Sequence, residues 1–212
     1  MDIHTIKKVL NKEEVDYQSL LTCLQNYTSP RDKIGRWLKE GSLIRVKKGL
    51  YVFGPELAER AYSIALLANL IYGPSAISLH YALSYYGLIP ERVSVVTSIT
   101  PKRNKQFKTP VGTFSYRYLH PEKYVCGIQL VQVQENIHCL MATPEKALCD
   151  LIYFNDFENT FNSGVAVETW LLEDLRLERD GLKKLNITKL KKIAAIYNHA
   201  ALTDFVTHFR IG

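Results

Sequence analysis

The chain of 212 residues has only four cysteines, Cys23, Cys126, Cys139 and Cys149. They form no C-x-x-C pair and no histidine spacing suited to zinc, so a disulfide scaffold and a structural zinc site are both excluded, and reduced thiols are expected. Long apolar runs are missing too. The best candidate, residues 61–90, holds no Asp, Glu, Lys or Arg, but Gly73-Pro74 splits it and Asn69, Ser75, His80 and Ser84 interrupt both halves. Two buried helices explain it better than a membrane span. No signal-like segment opens the chain, because Met1-Asp2-Ile3-His4 runs straight into a stretch carrying Lys7, Lys8, Glu13 and Glu14; a cytoplasmic address is expected. Low-complexity linkers and internal repeats are likewise missing.

What is present is an ordinary globular composition, 47% hydrophobic and 23% charged, with a net charge of +6 that is unevenly spread. Residues 28–48 hold Arg31, Lys33, Arg36, Lys39, Arg45, Lys47 and Lys48 against Asp32 and Glu40. A second basic stretch, residues 91–123, includes Lys102, Arg103, Lys105 and Lys108. Residues 147–175 are acidic and carry no Lys or Arg.

Hydrophobic periodicity predicts helices over Ile3–Leu10 and Tyr17–Tyr27. A third helix is predicted near Pro30–Glu40: Ser29 can cap it, Pro30 suits its first position, Asp32 favours its N-terminus and Gly41 ends it. Leu43–Val46 and Leu50–Phe53 read as strands joined at Lys47-Lys48-Gly49, and Gly54-Pro55 closes the unit. Helices are then expected over Glu56–Tyr72 and Ser75–Tyr86, followed by strands at Val93–Thr100, Gly112–Leu119, Ile128–Gln134 and Ile137–Met141. A helix capped by Thr143 with Pro144 at its first position should run to about Phe154, and Val167–Leu177 and Thr188–Tyr197 read as helical. The strands alternate with turns rather than helices, so an α+β fold with a mixed or antiparallel sheet and flanking helices is expected. The division is residues 1–54 and 55–212.

Helix, helix, capped helix and basic hairpin, in that order, is the layout of a winged helix-turn-helix. The third helix would enter the major groove of double-stranded DNA while the hairpin touches the flanking backbone. On its wheel Ile34, Trp37 and Leu38 form the buried stripe, and Arg31, Lys33, Arg36 and Lys39 remain outside it. Arg36 is the best candidate for a base contact, since guanidinium pairs with both guanine acceptors; Ser29 and the cations Lys33, Lys39, Arg45, Lys47 and Lys48 fit the phosphates. Lys102, Arg103, Lys105 and Lys108, expected in a polar loop before Pro110, make a possible second basic patch.

Pro30-Arg31-Asp32-Lys33-Ile34 through Gly49-Leu50-Tyr51-Val52, then Tyr72-Gly73-Pro74-Ser75-Ala76-Ile77-Ser78-Leu79 with Gly87-Leu88-Ile89-Pro90-Glu91, and Ala142-Thr143-Pro144-Glu145-Lys146-Ala147-Leu148-Cys149-Asp150 together resemble the AbiEi-type antitoxin family over residues 15–155. The resemblance implies an N-terminal winged helix that represses its own operon by binding inverted repeats. It also implies a C-terminal domain with antitoxin activity in a type IV toxin-antitoxin system, against a nucleotidyltransferase-like toxin that need not be touched directly.

Enzyme chemistry is weakly signalled. G-x-S-x-G, P-loop, H-E-x-x-H and G-x-G-x-x-G are all missing, and Gly41-Ser42 is not followed by the Asp-x-Asp of a nucleotidyltransferase. Glu145 and Asp150 are five apart and point away from each other, His80 reads as a hydrogen-bonded core histidine, and Phe114, Tyr116 and Tyr118 read as core. No catalytic residue, metal or cofactor is expected. The alternatives are a nucleic-acid-processing enzyme targeted by the winged helix, and a winged helix used for protein interaction.

Overall fold

The computed structural model describes residues 2–155 and 164–208. The chain opens with α1 (Ile3–Leu10), β1 (Glu14–Asp16), α2 (Tyr17–Cys23), α3 (Pro30–Lys39), β2 (Leu43–Lys47) and β3 (Leu50–Phe53). Asp2 caps α1 by accepting the Thr5 amide, and Asp16 caps α2 by accepting that of Ser19. Ser29 stands at the start of α3, but its side chain makes no cap bond; Pro30 at the first position sets the helix entry instead.

The strand order is β1-β3-β2, antiparallel throughout, with Val15 opposite Tyr51 and Leu43 opposite Phe53. Tyr51, Phe53, Leu43 and Val15 pack with Ile3, Ile6, Leu20, Leu24, Ile34 and Trp37. The opposite face of the same sheet, Val46, Leu50 and Val52, joins a second and larger core. That is why β3 reads Leu-Tyr-Val-Phe with no polar alternation: all four residues are buried. Gly49 turns the hairpin at φ +86°, and a Cβ on Gly54 would sit 2.1 Å from the Gly41 carbonyl oxygen, so the chain passes there only without a side chain.

Two buried glutamates tie the small sheet to residues 59–63. Glu13 pairs with Lys7 at 2.8 Å and accepts the amides of Glu59 and Arg60, while Glu14 accepts that of Ser63 at 2.5 Å. Residues 56–63 are consequently not helical. The helix expected over Glu56–Tyr72 is confined to α4 (Ile64–Ile71), whose cap is Ser63.

Beyond it come β4 (Ala76–Ile77), α5 (Leu79–Tyr85), β5 (Val95–Thr100), β6 (Lys105–Thr109), β7 (Gly112–Tyr118), α6 (Pro121–Val125), β8 (Ile128–Gln134), β9 (Ile137–Ala142) and α7 (Pro144–Phe154). They are followed by α8 (Gly164–Glu173), α9 (Arg179–Lys183), α10 (Ile187–Tyr197) and α11 (Ala200–His208). The sheet is mixed, in the order β6-β7-β5-β4-β9-β8, with parallel pairs β5–β7 and β4–β9. An α+β fold with a mixed sheet agrees with the sequence pattern. Two strands do not: β4, which shortens the helix anticipated over Ser75–Tyr86, and β6, which occupies the segment anticipated as a polar loop. β6 is an edge strand, and its polar sequence Lys-Gln-Phe-Lys-Thr suits an edge that faces water.

α7 lies at the centre of the larger core, with Glu145 through Ile152 all buried. Thr143 caps it by accepting the Lys146 amide, as its sequence predicts. Two of its charged residues are fully enclosed. Lys146 donates to Asp150 Oδ1 at 2.7 Å and to the Lys123 carbonyl at 2.9 Å, and it also meets the Tyr197 hydroxyl, which bonds Asp150 in turn. Ser78 donates to Asp150 Oδ2 at 2.5 Å. Burial first, then the Asp150 charge, pushes the Tyr197 phenol far above its ordinary range. Glu145, in the first turn of α7, also accepts the Asn186 amide at 2.9 Å and anchors the start of α10.

Candidate nucleic-acid interface

Amphipathicity decides how α3 sits. Ile34 and Trp37 are buried against the first core, and Leu38 packs at its margin. The side of α3 turned towards the β2–β3 hairpin then carries Arg31, Gly35 and Leu38. Between helix and hairpin lies an open depression of about 780 Å³, lined by Tyr17, Arg31, Ile34, Gly35, Leu38, Arg45, Lys48, Gly49 and Tyr51. Its depth owes much to Gly35, where a Cβ would meet nothing within 4 Å. The Tyr17 amide donates to the Gly49 carbonyl at 2.9 Å and pins the start of α2 to the turn.

Three cations, Arg31, Arg45 and Lys48, line this groove, and no carboxylate does. All three are exposed, as are Arg36 and Lys39 on the solvent side of α3. Among the described residues none of these five is in a salt bridge. An unpaired, exposed guanidinium or ammonium stays fully hydrated and available to an external anion. Ser29 is exposed at the N-terminal end of the same helix.

Two of the expected contacts are placed elsewhere. Lys33 lies on the flank of α3 away from the hairpin, its Nζ 4.8 Å from the Tyr27 ring centroid and 5.7 Å from that of Trp37. Lys47 turns away from the groove as well. A register shift between Arg45 and Lys47 carries it inward, where Nζ donates to the carbonyl of Ile71 at the end of α4. Burial, then Lys105 and Lys102, lowers its pKa. The tip of the hairpin is therefore Lys48-Gly49, and of the two adjacent lysines only Lys48 faces the groove.

The second basic patch is divided by the pleat of β6. Lys105 and Phe107 point to one face, towards Tyr72, while Gln106 and Lys108 point to the other. Lys102 and Arg103 are exposed in the turn between β5 and β6. The aromatic residues of β7 part company too: Phe114 and Tyr116 are buried, whereas Tyr118, at the strand's end, is 47% exposed. His80 is half-buried; desolvation and then Arg117 lower its pKa against the opposing pull of Glu91.

Sequence reasoning missed Tyr17 and Gly35 in the groove and the whole Lys146–Asp150 cluster. The last had a readable signal, a Lys and an Asp four apart within an otherwise apolar helix. The four cysteines are free, Cys139 and Cys149 buried, and burial pushes the Cys139 thiol up to about 11. Among the described residues no helix is long and apolar enough to cross a membrane, and no cluster of metal-ligating side chains occurs.

No protein-family model matches the chain, and no curated protein does. Among solved structures, the crystal structure of the RV2827C protein from Mycobacterium tuberculosis is similar, with a TM-score of 0.52 at 13% sequence identity over 92% of this chain and 75% of that one. At that identity the likeness is one of fold, and it places the mixed α+β architecture of this chain among known ones.

Proposed function

We propose that this chain is a sequence-specific DNA-binding transcriptional repressor that autoregulates its own operon and serves as the antitoxin of a type IV toxin-antitoxin pair. In this reading residues 1–54 are a winged helix-turn-helix domain and residues 55–212 the α+β antitoxin domain. The observation that carries it is the groove between α3 and the hairpin, which presents Arg31, Arg45 and Lys48 without any acid. A duplex with α3 in its major groove brings a phosphate backbone alongside the hairpin, and a cationic, carboxylate-free depression suits that backbone. Arg36, exposed on the outer side of the helix, is then the residue that reads a guanine edge. Lys33 and Lys47 drop out of the direct contacts. The antitoxin half of the reading is supported by the AbiEi-type strings.

The test is fluorescence anisotropy of the full chain on a duplex from its own upstream region. Wild-type affinity should fall with salt at a log-log slope of about −0.9 per phosphate neutralised. Arg36→Glu combined with Lys48→Glu should abolish binding with an unchanged unfolding midpoint; retained affinity in that double variant overturns the reading. The antitoxin role is checked by growth rescue on co-expression with an adjacent nucleotidyltransferase-like gene.

A further inference from the structure

Lys47 and Lys48 are neighbours in the chain yet serve different surfaces. Lys48 lines the α3 groove, while Lys47 reaches the Ile71 carbonyl on the larger unit. The next residue, Tyr72, gathers two more cations: Lys102 Nζ lies 5.5 Å from its ring centroid and Lys105 Nζ 5.6 Å. Lys105 also sits 5.2 Å from the Phe107 centroid, and Lys102 donates to the Gly73 carbonyl at 2.5 Å. The rings form a fixed floor. Tyr72 packs edge-on against Tyr116 at 5.2 Å, and the buried Tyr116 hydroxyl donates to the Ala68 carbonyl at 2.6 Å.

The fold thus brings together three lysines from two separate segments, two of them from the basic stretch that the sequence sets more than fifty residues from the hairpin. Among the described residues none of the three is in a salt bridge. Their mutual repulsion is visible at Lys47, whose pKa is lowered by burial and by the two others. Carbonyls and ring faces orient these ammonium groups but do not neutralise them. Lys102 and Lys105 remain exposed, so an external anion can reach them.

We infer that Lys102 and Lys105 form a second phosphate-binding site, holding the backbone of the same DNA duplex where it leaves the α3 groove past Lys48, so that one footprint crosses both units. The inference rests on the repressor reading above. Continuity argues for a duplex: Lys48 and Lys47 are adjacent in the chain, Lys47 reaches the Ile71 carbonyl, and Lys102 and Lys105 stand over the ring of the next residue, Tyr72, so a long polyanion that passes the hairpin tip would find them on its far side. The floor argues against base stacking on single strands, because Tyr116 is buried and Tyr72 and Phe107 are half-buried beneath the lysines.

Anisotropy titrations against salt separate the possibilities, using the full chain, a long upstream duplex and a short one cut back to the part covered by α3. Lys102→Gln with Lys105→Gln should bind the long duplex on the order of tenfold more weakly, with a log-log slope shallower by about 1.8. On the short duplex it should match wild type. Lys102→Arg with Lys105→Arg should keep the wild-type slope, and Lys191→Gln with Lys192→Gln, which removes the same charge from α10, should leave binding unchanged. A wild-type slope for the Gln pair on the long duplex, while Arg36→Glu with Lys48→Glu still abolishes binding, overturns the second site alone. Wild-type protein that binds neither duplex overturns both readings.

Discussion

Lys146 and Lys48 carry the same ammonium into opposite surroundings. Lys146 is wholly enclosed on α7 and meets Asp150, Tyr197 and a backbone carbonyl, so that its charge is answered within the fold. Lys48 stands in the open groove beside Arg31 and Arg45 and faces no carboxylate. A buried charge must be matched internally, because removing it from water costs several kcal/mol. An exposed charge has no such requirement. Its partner is solvent until a ligand replaces it, and unpaired cations gathered in one concavity raise the local affinity for polyanions. The first arrangement maintains the structure; the second leaves binding capacity unused by it.

The comparison is broken most severely at Asp150. Asp150→Ala strands the Lys146 ammonium in the core and should cost about 3–5 kcal/mol in a denaturant titration. Lys146→Met combined with Asp150→Leu should be less damaging than either single change, since it removes both charges at once. Equal costs for the double and the single variants would show that the pair is not internally matched.

A smaller effect is expected at Gly35, where the groove and helix stability oppose each other. Gly35→Ala should stabilise the protein by about 0.5–1 kcal/mol, because glycine weakens a helix interior and the added methyl has open space. Gly35→Glu should leave stability near wild type yet place a carboxylate between Arg31 and Arg45, weakening binding to the upstream duplex. Full binding by that variant would remove the groove from the interface.

His80 lies between the two extremes and should give the smallest change. Its folded pKa is depressed below 6.5 by burial and by Arg117. The unfolded chain therefore takes up the proton first as the pH falls. Stability is unaffected by His80 above about pH 6.5 and declines through the interval between 6.5 and its lower folded value. Unfolding midpoints at neutral and mildly acidic pH should show this decline, and His80→Gln should flatten it.

The elements that were readable from the sequence are those with local punctuation. α1, β3 and β8 have the predicted bounds, and α3 and α7 begin at the prolines that mark them. β1 was not readable: Glu14-Val15-Asp16 is a strand only because β3 lies beside it, and the glutamates Glu13 and Glu14 are occupied with amides 46 to 49 residues away. β6 carries no apolar alternation strong enough to mark an edge strand. In the candidate site, the identity of the cations was legible but their sorting was not. Lys33 is drawn to Tyr27 and Trp37, and a register shift of the hairpin takes Lys47 to Ile71.

The groove of α3 and the cluster of α7 divide along the same line. Sequence alone determined where helices begin and turns occur and which segments are rich in Arg and Lys, because caps, prolines, glycines and periodicity act over a few residues. Tertiary structure alone decided which charges are answered and which are left for a partner. That property depends on groups far apart in the chain, such as Ser78, Asp150 and Tyr197, or Lys47, Tyr72 and Lys105, which become neighbours only when the sheet and its helices close around them.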